Sequence, residues 1–372
     1  MKGDKSMNSI RVGVVGLKHG MASVRELLFQ EGFELAALCS RTRDTYEYLC
    51  GRQMPVVVES VTFTAPRDQL IRECRRVRDF KEIPFYTDYD EFLAHKGMEA
   101  VIVAVPIPLN AEFAAKALEA KKHVLAAKPF ALTLEQGRAL KAVAEKAPTK
   151  FMVNYEFRHS PLMEAIHAQI KAGAIGRLQL MWWNMFRMPF RGVYALRESS
   201  GGALVAEVCH WFDLFHLFNS WQPFRRICTF GGLDVLGQQQ KIEDNGVCVI
   251  EYANGVRGSI NFTYFTDQPE HNTFGLVGDG GKITGNTEEA GSYVLYNGPE
   301  QNKTVVTMNP DLAHRGHLGF DVSHRRFLEA IRKDLQVNKH EAEVGFESLL
   351  VSLAAQRSID SGAIVTREEM LR

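Results

Sequence analysis

From Ile10 onward, short apolar runs alternate with helical stripes, and this alternation restricts the possible folds more than any other feature. Residues 10–15 are apolar enough for a buried strand, Gly16-Leu17-Lys18-His19-Gly20 is a glycine-bounded turn, Leu27 and Leu28 lie on a helix ending at Gly32, and 34–39 is the next strand. Strand, turn, helix and strand in this order form a βαβ unit, which builds a parallel sheet. The run VIVAVPIPLNAEFAAKALEAKKHVLAAKPFA repeats the pattern, with a strand at 101–105, a helix at 111–120 and a strand at 123–126, followed by Lys128-Pro129. A helix over 134–147 and a last strand at 151–154 complete the half. Between Ser40 and Phe85 the chain is longer than one crossover requires. Helices at 44–49 and 67–78, around a β-branched patch at Val56 to Val58, make residues 44–82 an insertion at the sheet edge. Thr87 and Asp90 form a capping-box pattern for the helix through Phe92 and Leu93.

After Tyr155 the periodicity changes. Leu162, Ile166 and Ile170 give a helical stripe ending at Gly173, and strand-like runs follow at 178–186, 226–230, 247–252 and 256–266. Asn254-Gly255, between the last two, is a hairpin signal. A chain of 372 residues exceeds one ordinary core. The expectation is an α/β protein with two domains. Residues 1–155 form a doubly wound parallel sheet, and 156–372 an α+β domain with a large open, mostly antiparallel sheet. The helix at 346–361 is expected to pack near the junction.

The charge balance narrows the partners. Lys plus Arg and Asp plus Glu number 44 each, which argues against nucleic acid or an anionic membrane. No apolar run reaches spanning length, and MKGDKSMNSIRVGVVG carries no apolar signal region before the first strand. Met7 can serve as an internal start. The six cysteines have no CxxC spacing, as expected of a reduced cytoplasm.

Two residues point to chemistry. Lys128 closes a buried strand at the sheet's carboxyl edge, where ligands bind in this fold class. His210 lies in SGGALVAEVCHWFDL, a Gly-Gly turn feeding a short helix. An ammonium that polarises an oxygen and an imidazole that moves its proton are what alcohol–carbonyl hydride transfer needs. The cofactor signal is an incomplete glycine fingerprint, because Lys18 and Met21 stand where a full GxGxxG has glycines. Gly16, Leu17, Lys18, His19 and Gly20 can still cradle a pyrophosphate at a helix start, or they simply make a tight turn. After the second strand comes Ser40-Arg41-Thr42-Arg43, with no carboxylate to repel a 2′-phosphate. Arg41 (or Arg43) can pair with that phosphate and Ser40 can donate to it. Charge therefore favours NADP(H), with NAD(H) possible.

Five segments in order make a resemblance. The stretch ending at Lys128-Pro129, FMVNYEFRHSP with GAIGRLQL, SGGALVAEVCHWFDL, LVGDGGKITG and SLAAQRSIDSGAIV together resemble the glucose–fructose oxidoreductase / inositol dehydrogenase / rhizopine catabolism family, Gfo/Idh/MocA. The resemblance implies an N-terminal Rossmann domain, and a C-terminal sheet that covers the nicotinamide and forms homodimer or homotetramer contacts. It also implies NAD(P)-dependent oxidation or reduction of a small-molecule sugar, cyclitol or related compound. By position, Lys128 is the lysine on the substrate oxygen, His210 the acid/base, and Val105 and Pro106 to Asn110 line the nicotinamide.

The departures from the family pattern are Ala127 for glutamate, Ala206 for the aspartate four residues before the histidine, and Asn110 for a histidine. Glu207 and Asp213 are each three residues from His210, so either can lie beside it on a helix, with Glu207 slightly favoured as the replacement, or both are surface or capping groups and His210 works alone. Arg158, Trp183, Arg187, Arg191 and Asp213 are candidate substrate contacts, although arginines on an open sheet also serve interfaces and Trp183 also suits a core. His317, with Asp321, is a hydroxyl-binding candidate. His314 and His317 make too small a set for a metal. Two alternatives stay open: a cofactor-binding homologue without catalysis, acting as sensor or assembly partner, and transient oxidation serving elimination or glycoside cleavage.

Overall fold

The computed structural model describes residues 9–52, 67–266, 271–287, 291–298, 302–309 and 319–372. The patch at Val56 to Val58, and His314 and His317, lie outside them. Two compact units divide the chain: 1–131 with 135–154 and 320–343, and 132–134 with 155–319 and 344–372.

The first unit is built on strands β1 (Ile10–Val15), β2 (Phe33–Cys39), β3 (Phe85–Tyr86), β4 (Ala100–Val103), β5 (His123–Ala127) and β6 (Phe151–Asn154). Their order is β3-β2-β1-β4-β5-β6 and every pair is parallel. Apart from the two-residue edge strand β3, the strands are buried along nearly their whole length, as a sheet covered on both faces requires. Strand order reverses between β1 and β4, the point where open α/β sheets bind ligands. Val12, Val14, Leu35, Leu38 and Ile102 share a core with Val24 and Leu27 of the helix Met21–Phe29.

Phe327, Leu328 and Ala330 of the helix Phe320–Arg332 belong to that same core. Their apolar stripe fixes 320–343 to the first unit, a return of the chain that the sequence reading lacks. Asn338 and Glu341 then satisfy the outer edge of β6. The Asn338 Oδ1 accepts from Phe151 N (2.9 Å) and Glu341 Oε2 from Val153 N (3.3 Å), which blocks further strand pairing.

The second unit carries β7 (Leu178–Phe186), β8 (Phe224–Gly232), β9 (Asn245–Tyr252), β10 (Arg257–Thr263), β11 (His271–Gly278), β12 (Gly281–Asn286), β13 (Ser292–Asn297), β14 (Asn302–Thr307) and β15 (Val365–Thr366). Among the described residues they form one sheet, β14-β13-β12-β11-β7-β10-β9-β8-β15, antiparallel except for the β7–β10 pair. Met181, Trp183 and Met185 of β7 point inward; Trp211, Phe212 and Phe215 of the helix Cys209–Phe218 are equally buried. The opposite face leaves Leu180, Phe230, Val247 and Val249 exposed. At the β9–β10 hairpin Gly255 takes φ +85°, and Asn254 Oδ1 accepts from Val256 N at 3.3 Å.

Local differences from the expectation have plain causes. The cap of the helix Tyr89–Leu93 is Asp88, whose short carboxylate accepts from Glu91 N at 2.9 Å, not Thr87. The helix Ile107–Glu119 begins earlier than expected because Pro108 suits a first turn. The last long helix is Asn338–Ser361 rather than 346–361.

Candidate active site

In the first unit, the carboxyl ends of four neighbouring strands gather most of the expected cofactor residues. Gly16 follows β1 with φ +90°, and a Cβ there would lie 2.2 Å from the Ala104 carbonyl oxygen beyond β4. A Cβ on Gly20 would lie 2.4 Å from Gly16 O. These close approaches explain why the two glycines remain where the rest of the fingerprint does not. Gly20 precedes the helix Met21–Phe29, which has no side-chain cap and no acidic residue in its first turn. Its amide donors and positive end therefore suit an anion. Leu17 is buried as packing, Lys18 is exposed and His19 half-buried.

Beyond β2, Ser40 donates its N–H to Tyr86 O (3.1 Å), and Arg41 is exposed. Arg43 lies over the Phe85 ring at 4.9 Å and the Tyr46 ring at 5.7 Å. Beyond β4, Val105 is half-buried and Pro106 exposed. Asn110, expected against the nicotinamide, is buried. Its Nδ2 donates to the carbonyls of Ala127 (2.5 Å) and Pro129 (3.0 Å), one on each side of Lys128. The amide thus fixes the backbone that presents the half-buried lysine, whose bond to Pro129 is cis.

In the second unit, Gly201 (φ +77°) and Gly202 (φ +92°) turn the chain into a widened π-helical turn, Leu204–Val208, followed by the helix Cys209–Phe218. His210 is 1 % exposed. Phe157 and Tyr155 stand edge-on to its imidazole at 4.6 and 6.0 Å between ring centroids. The carboxylate beside it comes from a different element: Glu156 Oε1 lies 3.6 Å from His210 Nε2, and Glu156 is 3 % exposed.

The two carboxylates expected there each carry an arginine partner. Glu207 ion-pairs with Arg187 at the end of β7. Asp213 takes a bidentate pair from Arg158 (3.0 and 2.5 Å), and Ser348 Oγ lies 3.3 Å from its Oδ1. Spacing of i,i+3 rests on α-helical geometry, which the wide turn before His210 alters. Trp183, expected toward substrate, is fully buried between Trp211 (4.5 Å) and Phe274 (4.9 Å) and donates to Asn272 Oδ1 at 3.2 Å. That is a packing position. Arg191 is exposed. No sequence spacing links positions 156 and 210; the one sign of Glu156 in the sequence is a carboxylate in NYEFRHSP, just after a strand end.

A parallel sheet of this order with a phosphate-type turn at its reversal point, joined to an open antiparallel sheet, defines a two-domain dinucleotide-binding class. Residues 10–155 match the family profile described as an oxidoreductase family with an NAD-binding Rossmann fold, and 163–284 match the GFO/IDH/MocA C-terminal domain. The chain belongs to the GFO/IDH/MocA family. It is 28% identical over 231 residues to an uncharacterised oxidoreductase of Synechocystis sp., covering 56% of this chain and 60% of that protein. It is 26% identical over 230 residues to the levoglucosan dehydrogenase of Pseudarthrobacter phenanthrenivorans, covering 54% and 59%. The chain thus spans 35–60% of the length of the curated relatives it matches. A solved levoglucosan dehydrogenase in complex with NADH and L-sorbose shares the fold at TM-score 0.75 and 19% identity, over 97% of this chain and 99% of that one.

Proposed function

We propose that the protein is an NAD(P)-dependent oxidoreductase, preferring NADP(H), that acts on a sugar, cyclitol or related hydroxyl or carbonyl compound. The observation that carries this reading is the Gly16–Gly20 turn opening an uncapped helix at the point of strand reversal. The dehydrogenase named among the relatives supports the substrate class. The residues fit a dinucleotide: the turn and helix start hold the pyrophosphate, Ser40 and Arg41 the ribose 2′-phosphate, and Val105 and Pro106 flank the nicotinamide. With Arg43 stacked on Phe85, the phosphate role falls to Arg41. The bound nicotinamide supplies the hydride acceptor or donor. In the oxidative direction the Lys128 ammonium holds the reacting hydroxyl and lowers its pKa, and His210 takes the proton.

Calorimetric titration of cofactor-stripped protein with NADPH and with NADH tests the reading. Micromolar binding is expected, at least about tenfold tighter for NADPH, equivalent to ~1.4 kcal/mol. Arg41→Ser should erase the difference. No binding of either nucleotide to folded protein sinks the proposal. The burial of His210 favours a second reading, a cofactor-binding sensor without turnover. Intact nucleotide binding with no turnover across a polyol and sugar panel selects that one. The exposed face bearing Leu180, Phe230, Val247 and Val249 supports a homodimer or homotetramer through the second sheet, read out by sedimentation. No described helix is long and apolar enough to cross a membrane. We place the protein in the cytoplasm, which fractionation checks.

A further inference from the structure

One turn before His210 its own helix carries Ala206, which offers no carboxylate, and the ionisable neighbours along the helix are ion-paired. Glu207 meets Arg187, and Asp213 meets Arg158. The segment packed against the imidazole is the single turn Glu156–His159, which follows β6 and brings Tyr155, Glu156, Phe157, Arg158 and His159 into the interior. Glu156 brings its carboxylate to the ring, with Oε1 3.6 Å from Nε2. Both groups are nine-tenths buried or more, so each would be costly as a lone charge, and a charged pair lowers that cost for both. The edge-on rings of Phe157 and Tyr155 restrict the imidazole's rotation.

We infer that Glu156 is the positioning residue of His210: from a separate element it holds the imidazole's orientation and stabilises its protonated form. This is the service a carboxylate gives a histidine that must accept and return a proton. The inference rests on the acid/base role proposed for His210, but the pairing itself is measurable without turnover.

The test follows the imidazole directly. In protein labelled with ¹⁵N-histidine, two-bond ¹H–¹⁵N spectra across a pH series give the His210 titration, assigned by its loss in His210→Gln. Replacing Glu156 with glutamine should lower the midpoint by about 1 pH unit or more, a roughly tenfold loss of proton affinity. Glu156→Asp, which keeps the charge, should recover part of it. Coincident titrations of wild type and a folded Glu156→Gln overturn the inference. Should Glu156→Gln fail to fold, the wild-type ¹³C signal of the Glu156 carboxyl decides. It moves through the His210 titration if the groups are coupled and stays flat if they are not. On any panel substrate that turns over, kcat should fall by about 10- to 100-fold in Glu156→Gln with little change in KM. An unchanged kcat would overturn the role in proton transfer. Absent turnover with an intact titration shift would instead count against the oxidoreductase reading alone.

Discussion

The carboxyl edge of the first sheet and the interior around His210 are built from different materials. At the sheet edge the work is done by backbone: a glycine that must take φ +90°, a helix start without a cap, and carbonyls of Ala127 and Pro129 gripped by Asn110. Around His210 it is done by buried ionisable side chains: Arg158 with Asp213, Arg187 with Glu207, and Glu156 beside the imidazole. A backbone site tolerates sequence change so long as the turn survives, which explains how two of the three fingerprint glycines can be missing. A buried ionic site tolerates little, because each charge is affordable only with its partner in place.

The comparison breaks first if chemistry does not need Lys128. Lys128→Ala should cut turnover by three orders of magnitude or more, roughly 4 kcal/mol of transition-state stabilisation, with nucleotide affinity unchanged within about threefold. Steady-state kinetics beside calorimetry separate the two effects, and a parallel loss of both would reassign the lysine to cofactor binding. Next in size is Arg158→Met, which leaves Asp213 buried without its guanidinium. Urea unfolding should show about 3–5 kcal/mol of lost stability. The exposed pair Lys116–Asp90, with side chains 42% and 72% exposed, is the control, and Asp90→Ala should cost under ~1 kcal/mol. Equal effects at the two sites would remove the distinction between them.

Gly16→Ala sharpens the backbone side of the comparison. Its Cβ would sit 2.2 Å from the Ala104 oxygen at a φ that L-residues avoid. A loss of about 1–3 kcal/mol is expected, together with weakened NADPH binding. Wild-type affinity in this variant would show that the turn does not hold the pyrophosphate.

This same contrast governs what the sequence disclosed. The parallel sheet, the glycine turn, the β7 strand and the Asn254-Gly255 hairpin were legible, because each depends on residues close together in the chain. The pairing of Arg158 with Asp213 and the approach of Glu156 to His210 were not, since buried polar contacts between distant positions leave no periodic trace and these partners lie 55 and 54 positions apart. The ion pair of Glu207 with Arg187 was equally hidden, and the wide turn at 204–208 alters the α-helical count on which a spacing argument from His210 rests. The return of 320–343 to the first unit was hidden for a related reason: an apolar stripe says that a helix is buried, not against what.

Buried histidines give a way to address each unit separately. His324, in the first unit, has its pKa lowered to about 4, and His216, in the second, to about 3, both chiefly because burial disfavours the charged ring. Their folded pKa values lie below the ordinary 6.5, so the unfolded chain binds more protons between the two values. Stability is therefore full above about pH 6.5 and is lost as pH falls, by about 1.4 kcal/mol per pH unit for each histidine. All four tryptophans (182, 183, 211 and 221) lie in the second unit, so fluorescence-detected urea unfolding reports that unit. Between pH 6.5 and 4, His216→Phe should flatten the fluorescence-detected loss and His324→Phe should leave it in place. If both variants flatten it equally, the two units unfold as one, and the ionic interior is coupled to the backbone-built sheet edge rather than independent of it.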